Sequence, residues 1–207
     1  LTVVHAGLLT AVGRPAEARE LMLGGVFQPW EGGEGQVLQA WQDACTALAE
    51  RALTAGAPTA ALEHVRAAIT PPESLGEARH PLANSADMHW LLGEALSAAG
   101  DERGARAAWT AAANATGDFI DMSTRRFSGQ TLFSIRALRR LGDHVAAAAF
   151  ILEFDDYFAT SLPAMLLFHD DQQSVHDTYV RTLRSKLGEL TAGSTLPAAS
   201  ATTPHRQ

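Results

Sequence analysis

The 207-residue chain predicts an all-α fold, an array of antiparallel helical hairpins, on three observations. Four glycines, Gly13, Gly56, Gly100 and Gly142, each close a helix-forming stretch and recur at spacings of 43, 44 and 42 residues. Five residues after each glycine stands an alanine: Ala18, Ala61, Ala105 and Ala147. No β-branched run is longer than Thr2-Val3-Val4, so strands are not expected to matter. A period of this length marks stacked hairpins, each needing its neighbour to bury its apolar face.

The first hairpin is expected over 1–12 and 15–24. Pro15 sits in the first turn of its second helix, where a missing N–H leaves no bond unmade. The second is expected over 36–55 and 58–69, with Pro58 in the same role. The third spans 85–99 and 102–115, opened by Asn84 or Ser85 as a cap. The fourth spans 128–141 and 143–153. A fifth begins after Pro163, with a helix near 171–187 that ends at Gly188. Its partner helix does not follow. The segment 191–207 is small, polar and broken by proline, which predicts a disordered tail behind a helical domain of residues 1–190.

Composition removes several function classes. A net charge of −7 opposes bulk phosphate binding, so no nucleic-acid partner is expected. Cys45 is the only cysteine, which leaves no internal disulfide. No run of eighteen apolar residues exists, so no membrane span is expected. The chain starts Leu1-Thr2-Val3, with neither methionine nor a signal-peptide pattern, and starts inside a hairpin. It reads as a cytoplasmic fragment, with an export signal on a longer parent left open.

The excess length of each period falls between hairpins, in links 26–35, 71–86 and 116–128. In a stacked array such links lie along one edge. Long links in a compact array are more often functional or disordered than neutral. These hold Trp30, Glu31, Glu34, Glu77, Arg79, His80, Asp118, Asp121, Arg125 and Arg126. Trp30 with Glu31 and Glu34 offers a stacking face and carboxylate acceptors for a sugar or peptide. The same residues also fit a plug between hairpins, with Gly32, Gly33 and Gly35 turning the chain. Arg79 and His80 offer an anion clamp and a titratable imidazole, or a capped loop with a local pair to Glu77. Asp155, Asp156 and Tyr157 are candidates to join the same surface.

The remaining constellations are weaker. His169 and His176 are seven residues apart amid acids and do not make a metal site. Arg136, Arg139 and Arg140 form a basic stripe that reads as a solvated face. No complete catalytic signature is present, and no catalytic residue, metal or cofactor is expected.

Leu92-Gly93, Leu96, Gly100-Asp101, Ala105, Trp109 and Ala112 fall where tetratricopeptide repeats place their small and large packing residues, and the third hairpin resembles that family. The period is about nine residues longer than the usual repeat, a length that also suits HEAT-like arrays. VFQPWEGGEG, GEARHPLANSADMHWLLGEAL and DDYFATSLPAMLLFHDD, together, resemble the C-terminal tetratricopeptide-bearing part of domain-of-unknown-function family 5107. The resemblance covers about residues 1–190. It implies a preceding β-sandwich region, similar to sugar-mutarotase folds, and a carbohydrate connection. It assigns no catalytic residue.

A tetratricopeptide-like right-handed array with long links on one edge is therefore expected. It acts as a binding scaffold without chemistry of its own. Its ligand surface is expected at the Trp30/His80 edge, for a saccharide or a peptide. Its partner is the missing β-sandwich or another protein. The alternative is the helical part of a carbohydrate-active enzyme whose β-sandwich lies outside this chain.

Overall fold

The computed structural model describes residues 1–28, 33–120 and 123–166, with 185, 188 and 189. The helix expected near 171–187 and the tail 191–207 lie outside the described residues, Ser185 apart. The chain divides into two compact units, Leu1–Phe154 and Asp155–Gln207. Of the second, the described stretch is 155–166, which is helical.

Among the described residues, eight helices follow one another: α1 (Thr2–Ala11), α2 (Pro15–Leu23), α3 (Gln36–Thr54), α4 (Pro58–Ile69), α5 (Ala86–Ala98), α6 (Glu102–Asn114), α7 (Thr131–Leu141) and α8 (His144–Leu166). Helices α1 and α2, α3 and α4, and α5 and α6 pack across the short turns that join them, and α2–α3, α4–α5 and α6–α7 pack as well. The first helices of consecutive pairs also touch: α1 with α3, α3 with α5, α5 with α7.

One turn recurs at all four glycines. Gly13, Gly56, Gly100 and Gly142 have φ of 82°, 70°, 85° and 86°, the left-handed region that glycine enters without a Cβ clash. The following N–H reaches back five residues each time: Arg14 to the Leu9 carbonyl (2.7 Å), Ala57 to Ala52 (2.8 Å), Asp101 to Leu96 (2.9 Å) and Asp143 to Leu138 (2.9 Å). These bonds, with one from each glycine N–H to the carbonyl three residues back (3.0 Å each), satisfy carbonyls left orphaned at a helix end. The expected alanines then close the first turn of the next helix and are buried.

Two buried positions recur in each pair. Seven residues before the glycine stand Ala6, Ala49, Gly93 and Ile135; nine after it stand Met22, Val65, Trp109 and Ile151, and all eight are buried. Ala49 shares a core cluster with Val65. Gly93 meets the widest partner: a Cβ there would come within 2.3 Å of the Trp109 indole. Trp109 is the side chain nearest to Gly93. Ala105 is packed with Trp109, Trp90 and Leu96.

Three expectations are corrected. Strands do occur: the third link holds an antiparallel hairpin of β1 (Asp118–Ile120) and β2 (Ser123–Arg125), pairing Asp118 with Arg125 and Phe119 with Thr124. A three-residue run of Phe and Ile is too short to show a period of two. The helix expected to end at 153 continues to Leu166, because no glycine or proline interrupts the chain between Phe150 and Leu162. At the start of α5 the cap position is Ser85, but its side chain makes no capping bond; Asn84 Oδ1 instead accepts from the Ala86 N–H at 2.8 Å.

Two substitutions test this packing. Gly93→Ala is expected to destabilise the protein by roughly 1–3 kcal/mol through overpacking against a rigid indole, and Ala105→Leu by a similar amount. Gly7→Ala in α1, where a Cβ meets nothing within 4 Å, should instead stabilise by about 0.5–1 kcal/mol. Urea denaturation of the three variants measures this; unchanged midpoints for Gly93→Ala and Ala105→Leu would refute the register.

Candidate functional site

The second link is built from its buried anchor outward. After Pro71-Pro72 a single 3-10 turn, Glu73–Leu75, drops Leu75 into the core made by α1, α2 and α3. Gly76 reverses the chain at φ 69°. The next residue, Glu77, reaches the start of α3: its carboxylate accepts from the N–H of Gly35 (3.1 Å) and of Leu38 (3.0 Å). The α3 cap position, Gly35, has no side chain to satisfy these donors, and a carboxylate at a helix N-terminus is favoured by the dipole. Glu77 thus ties the second link to the end of the first. It does not serve as the local partner of Arg79.

Arg79 is half-buried. Its Nη2 donates to the Asn84 carbonyl and its Nη1 lies 3.6 Å from Met88 Sδ. Burial lowers its pKa, an effect opposed by Asp87 and Asp118. Asp87, in the first turn of α5, is pushed up by burial, with Oδ1 enclosed and no hydrogen bond to a described residue. His89, two residues on, is pushed down by burial and by Arg79, with Asp87 opposing.

His80 is exposed, and its ring stacks on Phe119 with centroids 3.9 Å apart and planes 13° off parallel. Its Nδ1 accepts from the Leu82 N–H at 3.2 Å, which leaves Nε2 as the protonated nitrogen of the neutral ring. Phe119 is presented by β1, so the strand absent from the sequence reading is what supplies the partner of His80.

A buried polar network joins the second link to the third. Asp118 accepts from the backbone N–H of Asn84 (2.9 Å), from the N–H of Phe119 (2.8 Å) and from Ser128 Oγ (2.7 Å). The Asn84 amide donates to the Gly117 carbonyl at 2.7 Å. Ser128 Oγ also accepts from the Gln130 N–H (3.1 Å), and the Ser128 N–H donates to Thr131 Oγ1 (3.1 Å), at the start of α7. Asn84, Asp118, Ser128 and Thr131 are all buried. Each buried polar group here has partners, which is what makes such a network rigid.

Next to Gly117 opens a cavity of about 390 Å³ lined by Thr116, Gly117, Arg126, Phe127, Phe150 and Glu153. Phe127 packs tilted against Phe150, with centroids 5.7 Å apart. Arg126 pairs with Glu153 at 2.5 Å on the exposed side. Phe127 and Phe150 were not singled out as site residues; their contact spans the third link and α8, which no local pattern shows.

The other expected site residues fall as follows. Trp30 and Glu31 lie outside the described residues. Glu34 is exposed, beside the Gly35 that Glu77 caps. Asp155 and Asp156 are exposed and Tyr157 is half-buried on α8, in the second unit. In the basic stripe, Arg136 covers Trp90 and Phe133, and Arg140 pairs with Glu94 while covering Trp109. Among the described residues no group of three or more His, Cys, Asp or Glu could hold a metal. No helix among them is long and apolar enough to cross a membrane. Cys45 is buried in α3, and burial pushes its thiol up to about 11, with Arg19 opposing.

No protein-family model matches the chain, and no solved structure matches it.

Two outcomes are expected at this site. Glu77→Ala should cost about 1 kcal/mol, as the loss of a helix cap does, with amide exchange at Gly35 and Leu38 accelerated; unaltered exchange there would show that the cap does not hold α3. The Cys45 thiol should react with an aromatic disulfide only as the protein unfolds, because so little thiolate exists near neutral pH. Rapid labelling of the folded chain would contradict its burial.

Proposed function

We propose that the chain is a tetratricopeptide-like, right-handed helical-repeat scaffold that binds a polar ligand along its link edge and carries no chemistry of its own. The observation that supports this most is the fusion of the links. Glu77 joins the second to the end of the first, and Asn84 and Asp118 join the second to the third. The edge so formed is held by buried hydrogen bonds, a rigid setting of the kind binding sites need. It offers an exposed imidazole on Phe119 and, at Gly117, the Phe127/Phe150 cavity with its Arg126–Glu153 pair.

Aromatic walls flanked by an ion pair suit a neutral or cationic polar ligand, a saccharide or a short peptide. The resemblance to domain-of-unknown-function family 5107 puts a saccharide first. It also makes a mutarotase-like β-sandwich the proposed partner, and the helical part of a carbohydrate-active enzyme the second reading. Trp30, Glu31 and Glu34 belong to the link that Glu77 fastens, so they are proposed at the same edge.

Tryptophan fluorescence and calorimetric titration against oligosaccharide and peptide panels test this. Trp30→Ala, His80→Ala and Phe150→Ala are each expected to weaken the bound ligand roughly threefold to tenfold, the value of one lost stacking contact. Equal binding by the native chain and all three variants would remove the edge as a ligand surface.

A further inference from the structure

In the three later pairs, one stripe of the first helix meets the preceding pair. The stripe lies twelve, nine and five residues before the turn glycine: Ala44, Ala47 and Arg51 in α3, Met88, Leu91 and Ala95 in α5, Gln130, Phe133 and Ala137 in α7. Ala44 shares a core cluster with Ala18 and Met22 of α2, and Arg51 Nη2 donates to the Gly13 carbonyl at 2.7 Å. Leu91 packs with Ala49 and Val65. Gln130 Oε1 accepts from the Asp87 N–H at 3.3 Å, and Ala137 and Phe133 pack with Ala105, Trp109 and Ala112.

The covering helices repeat a stripe too. Five, nine and twelve residues after the glycine, α4 presents Ala61, Val65 and Ala68, and α6 presents Ala105, Trp109 and Ala112, all buried. A small–large–small order lets the incoming helix sit close at both ends and interlock at the centre.

At the first pair the same three positions are Leu1, which precedes α1, and Val4 and Leu8 within it. Leu1 is fully exposed, and Val4 and Leu8 are 61% and 60% exposed. Val12 extends the stripe at 69%. Large apolar side chains three and four residues apart make a continuous helix face, and such a face on the surface marks an interaction site.

We propose that this face of α1 is a docking surface for an antiparallel helical hairpin whose second helix presents a small–large–small apolar stripe. The proposal rests on the repeat reading, since the register of α3, α5 and α7 is what specifies the partner.

The test places residues 1–129 directly ahead of the full chain, so that the inner Leu1 follows Gly129 where Gln130 stands in the native order. Leu8→Cys is introduced in the outer or the inner copy, and thiol labelling is followed. The buried Cys45 supplies the slow background. The outer thiol is expected to label as fast as Leu8→Cys in the native chain, and the inner thiol at least about tenfold slower, as burial protects. Val4→Glu in the inner copy should restore fast labelling. An inner thiol as fast as the outer one overturns the docking surface, and leaves the repeat reading standing if Gly93→Ala still destabilises the native chain. Labelling of the native chain that slows as protein concentration rises would give the face to a second copy and would likewise overturn the proposal.

Discussion

A backbone turn that L-residues enter only with strain sets the geometry of the helical pairs. Each of the four glycines places its φ near 70–86°, and the N–H after it bonds to a carbonyl five residues back. That bond fixes where the second helix starts relative to the first. The alanine five residues on then arrives against the first helix, and its small side chain lets the two axes approach. Residues that never touch the turn inherit their position from it. Gly93 and Trp109 are sixteen residues apart, yet their fit depends on the φ of Gly100.

Once the turn is set, the pairs tolerate different fillings. Across the seven-before and nine-after positions the protein uses Ala with Met, Ala with Val, Gly with Trp and Ile with Ile. Burial, rather than identity or size, is what these positions share. This explains why the repeat is plain in the turn residues and faint elsewhere. Ile135 fails to match Gly93 by type, yet both are buried at the same place. The turn demands one residue type for a conformational reason, whereas the interior demands only a fit.

The same difference decides what was legible before the structure. Helix pairs, their turns and the buried alanines follow from Gly, Pro and Ala at fixed offsets. The links do not, because their contacts join residues far apart in the chain. Glu77 sits beside Arg79, and a local pair was the natural reading of its charge; its carboxylate instead spans 42 residues to Gly35. Asn84 was visible as a capping candidate, but its second role, donating to Gly117, depends on a strand that three residues could not announce. His80 was legible as a candidate site residue, while its stacking on Phe119 was not. The long extension of α8 past 153 was missed for the opposite reason: the absence of a breaker carries less signal than its presence.

The links also show where polar residues are affordable inside an otherwise apolar stack. A carboxylate as buried as that of Asp118 would be costly alone. It is tolerable because three donors reach it: two backbone N–H groups and the Ser128 hydroxyl. All three come from the links themselves, and the two backbone N–H groups would otherwise be unsatisfied where the chain turns away from helix. The irregular backbone and the buried carboxylate therefore solve each other's hydrogen-bonding problem. Asp87 differs, since its Oδ1 is enclosed without such donors and burial pushes its pKa up. Asp118 acts as structure, whereas the nearby His80 and the Arg126–Glu153 pair are exposed, as the proposed binding edge requires. A stiff polar seam under an accessible aromatic surface holds that surface in one shape, which lowers the ordering cost of binding.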